Sequence, residues 1–271
     1  MRFIFIFLVI IALSSCNTYN KLLKSEDPEK KLEAAMQYFE SGSYFRTIQL
    51  LENILATYRG SVQAEKIYYY YAYSHYHQGD YIVAAFHFSS LAKTLPNSQY
   101  AEEALYMSAY CKYLYSPDFF LDQSSTREAM NEMQLFINKY PKSERVAKAN
   151  EIIDEMRAKI ELKAFENAKM YVKLEEYQAA VVALQNVIRD FPGTNYTEEA
   201  MFLIVKSWYL YAVGSVPHKQ QERFEKAKDA YQEFVADFPN SNMKNEASFY
   251  YNASIKNIDS IKNAKPTSNK N

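Results

Sequence analysis

From about residue 29 onward the apolar residues recur at helical spacing, and the pattern is punctuated by five turn motifs. These are Tyr58-Arg59-Gly60-Ser61, Leu95-Pro96-Asn97-Ser98, Tyr140-Pro141-Lys142-Ser143, Phe191-Pro192-Gly193-Thr194 and Phe238-Pro239-Asn240-Ser241. Seventeen residues before each closing Ser or Thr stand Tyr44, Tyr81, Thr126, Tyr177 and Phe224, four of them aromatic. Three residues after each of those comes a small side chain: Thr47, Ala84, Ala129, Ala180 or Ala227. A small residue held at one register lets two helices approach closely. The pattern predicts pairs of antiparallel helices, repeated five times. A last amphipathic helix, from Asn242 to about Lys262, would cap the stack.

The second repeat carries the most specific match. Gln78-Gly79-Asp80-Tyr81, with Ala84, Phe88 and Pro96 behind it, resembles the inter-helix turn and second helix of the tetratricopeptide repeat. Gly79 closes the first helix, and Pro96 cannot continue the second. The resemblance implies an all-α fold, a tetratricopeptide-like α-solenoid of about five helix-pair repeats plus a C-terminal capping helix. The spacings between repeats, 37, 45, 51 and 47 residues, exceed the usual length of about 34. The excess sits in two insertions, SPDFFLDQSS (116–125) and VGSVPHKQQER (213–223), and in a longer helix over roughly 144–172.

The two ends read differently. Arg2 is followed by an unbroken apolar run from Phe3 to Leu13, too short for a spanning helix and built like a secretory leader. Leu13-Ser14-Ser15-Cys16 resembles a bacterial lipobox, which implies cleavage after residue 15 and acylation of Cys16 as the lipid anchor. Asn17 is not the aspartate that retains enterobacterial lipoproteins in the inner membrane, so the outer membrane is expected. Residues 16–28 read as a polar, lipid-anchored tether, 29–262 as the solenoid, and 263–271 as a disordered tail. Within the solenoid, 29–143 is the expected substrate-binding half and 144–262 the scaffold half.

Composition narrows the chemistry. A formal net charge of −1 does not suit a binder of nucleic acid. With Cys16 acylated only Cys111 remains, so neither an internal disulfide nor a cysteine metal site is expected. No phosphate loop, HExxH or GxSxG appears. His75 and His77, two apart on a helix, face different directions. Glu102-Glu103 and Glu198-Glu199 start helices, where carboxylates favour the dipole. The reading is a non-enzyme with no metal and no cofactor beyond the covalent lipid.

What the chain has in excess is tyrosine, 25 residues in all, seven of them in the stretch IYYYYAYSHYHQGDY (67–81). The repeat register sends Tyr68, Tyr71, Ala72 and His75 toward the second helix of the pair. It sends Tyr69, Tyr73 and Tyr76 to the concave wall, continued by Tyr106, Tyr110 and Tyr113 in repeat three and by Met36 and Phe39 in repeat one. Tyr70 faces neither. Two readings of that wall stand side by side, a peptide groove and simple packing between repeats. Under the first, Tyr73→Ala with Tyr110→Ala is expected to weaken peptide binding and leave the fold intact.

A leader with lipobox, five such repeats and the run Ser116-Pro117-Asp118-Phe119-Phe120-Leu121-Asp122-Gln123 together resemble the BamD-like lipoproteins of the outer-membrane β-barrel assembly machinery. The block YQAAVVALQNVIRDFPGT (177–194) is similar to that family's fourth repeat. Repeat one departs from it, ending in Arg59-Gly60 without proline, and repeat five carries a long insertion. The resemblance implies a periplasm-facing scaffold on the outer membrane. Its partners would be a BamA-type barrel assembly protein, the targeting peptides of unfolded outer-membrane proteins, and accessory lipoproteins. Phe119 and Phe120 would close the groove, insert into it, or pack on the second helix of their pair. Two other classes fit the same repeats: a lipoprotein scaffolding peptidoglycan or cell-division enzymes, and a glycan-capturing surface lipoprotein. Asp259-Ser260-Ile261 resembles an O-glycosylation triplet.

Overall fold

The computed structural model describes residues 19–264. The expected leader, Cys16 and the tail beyond 264 lie outside them. All regular structure among the described residues is helical. The eleven helices named here are α1 (Pro28–Glu40), α2 (Tyr44–Ile54), α3 (Ala64–Gln78), α4 (Tyr81–Thr94), α5 (Ala101–Tyr115), α6 (Ser124–Lys139), α7 (Val146–Lys173), α8 (Tyr177–Asp190), α9 (Thr197–Val213), α10 (Pro217–Asp237) and α11 (Lys244–Ala264). Each unit is a stretch of tetratricopeptide-like solenoid. The chain divides into two compact units between Met156 and Arg157.

In the first unit α1 packs on α2, α3 on α4 and α5 on α6, and α1 also meets α3. The start of α1 shows why the helix begins there. Asp27 accepts from the amides of Glu29 and Lys30, satisfying two orphan donors, and Pro28 sits where no amide partner exists. Residues 19–23, read from sequence as tether, are helical, and Tyr19, Leu22 and Leu23 pack on the core formed by Ala35, Leu50, Leu51, Ile54, Ile67 and Tyr71. A second core joins α3 to α6 and the first turns of α7 around Phe88, Met133, Phe136 and Ile152. In the second unit Phe165 and Ala168 of α7 pack with Leu184 of α8, and Phe202 of α9 with Phe234 and Tyr250 of α10 and α11.

The small-residue register is realised throughout. Thr47, Ala84, Ala129, Ala180 and Ala227 are each 0% exposed, the points at which paired helices touch. The insertion at 213–223 is mostly helix, because α10 already begins at Pro217. Of the other insertion, 116–125, residues 116–123 are a loop and the last two open α6.

Three of the turns between paired helices, after α1, α3 and α7, share one geometry. After α3, Gly79 donates its amide to the carbonyl of Tyr76 and Asp80 to that of His75, with Gly79 at φ +81°. After α7 the same bonds run from Glu175 to Val172 and from Glu176 to Tyr171, and Glu175 holds φ +61°. A side chain in this left-handed region is strained by about 1–2 kcal/mol. Glu175→Gly should therefore raise stability by about 1 kcal/mol. The urea midpoint is the readout, and an unchanged or lower midpoint would refute the strain.

Candidate functional site

Helix α3 offers a ring at every position from 68 to 71, so burial is decided by neighbours rather than by polarity. Tyr71 is sunk in the first core and meets His75 and His87 edge-on. Tyr70, unassigned by register, packs edge-on against Phe39 at 4.7 Å. Tyr69, Tyr73 and Tyr76 are half-buried beside the second core. Their rings form a continuous path: Tyr100 stacks on Tyr69 at 4.3 Å, Tyr69 meets Tyr73 at 4.7 Å, Tyr73 meets Tyr76 at 6.1 Å, and Tyr76 meets Tyr110 at 6.4 Å. Tyr113 continues it beyond Tyr110 at 5.8 Å.

Three hydroxyls of this wall are tied down, those of Tyr69, Tyr73 and Tyr113. Tyr69 donates to one oxygen of Glu103 at 2.9 Å, and Tyr73 to the other at 2.8 Å. Arg145 reaches that same second oxygen at 3.0 Å, with its guanidinium 5.7 Å from the Tyr106 ring. Tyr113 donates to Glu155. One carboxylate in repeat three thus binds two phenols of repeat two and the arginine that precedes α7. Burial first, and then the bond to Glu103, push the Tyr69 and Tyr73 phenols well above their ordinary range. For Tyr113 the bond to Glu155 comes first and carries it up to about 12. All three remain protonated donors at neutral pH.

The sequence-selected residues therefore separate. Tyr69, Tyr73, Tyr76, Tyr110 and Tyr113 come together as one wall with ring faces partly open. Tyr106 does not join them as surface: at 9% exposure it packs on Phe136, 5.3 Å away. Met36 lies at the first core, and Phe39 sits in an aromatic knot with Tyr44, Tyr70 and His77. Phe119 and Phe120 touch each other edge-on, and among the described residues neither ring meets a tyrosine of the wall. Their loop is ordered by Gln123, buried to 4% exposure, whose amide donates to the carbonyls of Asp118 and Leu121. Phe120 is left 64% exposed. Glu103 and Arg145 were not legible as site residues, since partners 30 to 42 residues away leave no trace in local spacing. Tyr73 also packs on Phe88 at 4.9 Å, so Tyr73→Ala disturbs the fold as well as the wall.

The histidines of α3 point apart, as their spacing requires. His77 stacks on Tyr44, while His75 lies parallel to His87 of α4 at 5.8 Å with Asp80 3.4 Å from its Nδ1. Among the described residues no three His, Cys, Asp or Glu side chains gather as metal ligands. Burial, and secondarily His75, lower the His87 imidazole to about 4. The unfolded chain takes up that proton near its ordinary value of about 6.5 and the folded chain only near 4, so stability falls as pH drops through that window. His87→Gln should flatten the decline in denaturation curves at successive pH values between those limits. Identical slopes in both proteins would contradict it.

Fold and wall define a helical-repeat scaffold that displays a half-buried aromatic surface. Residues 25–223 match the YfiO family, described as outer membrane lipoprotein. The chain belongs to that family. It is 29% identical over 139 residues to the outer membrane protein assembly factor BamD of Caulobacter vibrioides, spanning 50% of this chain and 45% of that protein. To BamD of Pasteurella multocida it is 22% identical over 217 residues, 76% of this chain and 83% of that one. Among solved structures, the TPR domain of P58(IPK) covers 93% of this chain and 69% of its own at 14% identity and a TM-score of 0.41. Among the described residues no helix is long and apolar enough to cross a membrane.

Proposed function

We propose that this protein is a non-catalytic scaffold of outer-membrane protein assembly. It is anchored by acylated Cys16, faces the periplasm, binds a BamA-type barrel assembly protein and accessory lipoproteins, and receives segments of unfolded outer-membrane proteins. The observation that carries the reading is the family match over residues 25–223, which spans the whole tyrosine wall. The wall supplies a part suited to the task. Its rings, three of them with hydroxyls already bonded, present apolar faces at low entropic cost, and an extended peptide can lay aromatic side chains against them. The exposed Phe120 is available to the same incoming chain.

The test separates the wall from its supports. Neither Tyr76 nor Tyr110 needs a partner's carboxylate, so Tyr76→Ser with Tyr110→Ser should keep the fold. The double variant should bind a C-terminal peptide of an outer-membrane barrel about tenfold more weakly, a loss of about 1.4 kcal/mol. Undiminished affinity in the folded variant would remove the wall from the mechanism. Mild-detergent purification should recover a barrel assembly protein with the chain; recovery of cell-wall hydrolases alone would overturn the assembly role. Radiolabelled palmitate should enter the protein and be lost in Cys16→Ser.

A further inference from the structure

A groove of about 480 Å³ runs along the second unit, between α8 and α10 with α9 as its floor. The groove has a counterpart in the first unit, between α4 and α6 over α5, and comparing the two shows what changed. Glu102-Glu103-Ala104 in α5 and Glu198-Glu199-Ala200 in α9 mark the same register, as do Ala129 in α6 and Ala227 in α10. Lys112 therefore corresponds to Trp208, Ser108 to Ile204, Glu128 to Lys226 and Glu132 to Ala230. In the first unit these four positions form a closed polar network. Lys112 pairs with Glu128 and, at 2.8 Å, with Glu132, and Ser108 donates to Glu132 at 3.1 Å. In the second unit the network is gone. Its place is taken by Ile204, Ala230 and a half-buried indole, with the Lys226 ammonium 4.8 Å from the Trp208 ring.

The second groove has an apolar floor of Met201, Ile204 and Trp208, and its α10 bank carries Asp229, Glu233 and Asp237 where α6 has Asn131, Leu135 and Lys139. Asp229, Glu233 and Asp237 follow one another at single-turn spacing along the groove. Asp229 lies 3.4 Å from Lys228, whereas among the described residues Glu233 and Asp237 take part in no ion pair. The groove's cations are occupied: Arg189 holds Asp190 at 2.9 Å, and Lys226 lies over Trp208. The α10 bank is thus acidic at three positions where its counterpart in the first unit has no carboxylate.

We propose that this groove is a docking site for a basic, amphipathic segment of a protein partner. A large apolar or aromatic side chain of that segment would rest on Trp208 beside Ala230, and Lys or Arg would pair with Glu233 and Asp237. Apolar anchors that fill desolvated pockets dominate such interfaces, and the charges set partner and orientation. The site is separate from the tyrosine wall and does not depend on it.

Trp208 is the sole tryptophan of the chain, so its emission reads the groove directly. The full-length protein is titrated with two synthetic helical peptides of about eighteen residues, five turns. Both carry leucine and phenylalanine on one face; one has lysine on the other face and the second has glutamate. The lysine peptide should shift Trp208 emission saturably, weakening with added salt, and the glutamate peptide should bind at least about tenfold more weakly. Glu233→Gln with Asp237→Gln, both at the exposed bank, should lose a similar factor while remaining folded. Ala230→Glu should abolish binding by refilling the groove. Equal binding of both peptides, full affinity in the double variant, or no emission change would each overturn the proposal. So would a Trp208 signal that depends only on the protein's own concentration, which would assign the groove to a second copy. Tyr76→Ser with Tyr110→Ser should leave the Trp208 response unchanged, so failure at the wall and failure at the groove are distinguishable.

Discussion

Phe88→Ala should destabilise the first unit by about 4 kcal/mol, the cost of emptying a site that was filled by a phenyl ring. Phe88 is 0% exposed and sits among Ala84, Leu91 and Met133 in the second core, with Tyr73 edge-on at 4.9 Å. The effect reaches beyond packing, because the ring that leaves is the one on which Tyr73 rests. With that support removed, Tyr73 can turn from Glu103, and the wall loses the order of its central phenol. Phe88→Leu, which keeps most of the volume, should cost less than about 1.5 kcal/mol. Equilibrium denaturation of both variants measures the difference, and a loss under about 1 kcal/mol for Phe88→Ala would mean that the neighbours collapse into the space.

Glu103→Ala is the second large effect, about 2–3 kcal/mol, since hydrogen bonds to a charged acceptor are stronger than neutral ones and two phenols are left half-buried without it. Magnitude decides between two accounts of this residue. As a carboxylate in the first turn of α5 it would contribute about 0.3–1 kcal/mol through the helix dipole. Glu102 occupies the same turn, so Glu102→Ala isolates that contribution. Arg145→Ala should cost only about 1 kcal/mol, because its side chain is 41% exposed and its pairing is screened. Equal losses for Glu102→Ala and Glu103→Ala would reduce Glu103 to a dipole partner. A double-mutant cycle of Glu103→Ala with Tyr73→Phe should show coupling of about 1 kcal/mol.

Much of the fold could be read along the chain because its period is physical. A small residue recurs where helices touch, and all five positions so chosen are fully buried. The last helix, expected from 242 to about 262, runs Lys244–Ala264. The wall was only half legible. Register brings Tyr69, Tyr73, Tyr76, Tyr110 and Tyr113 to one side, yet it cannot tell a half-open ring from a closed one, and Tyr106 is closed by Phe136. Tyr70 was unassigned because its partner, Phe39, belongs to another repeat. Glu175 escaped notice at its turn for a simpler reason: a strained conformation is announced in sequence by glycine, and here glycine is missing.

Cys111 carries a consequence of its own. The thiol is fully buried, and that burial raises it to about 12. In a Cys16→Ser chain, whose sole thiol is Cys111, a maleimide meets neither an accessible sulfur nor a thiolate until α5 opens, so the labelling rate measures how often the first unit breathes. Trp208 gives an optical signal from the second unit in the same sample. That chain therefore contains one chemical clock and one fluorescent one, and following both through a denaturant series will show whether its two units come apart together or in turn.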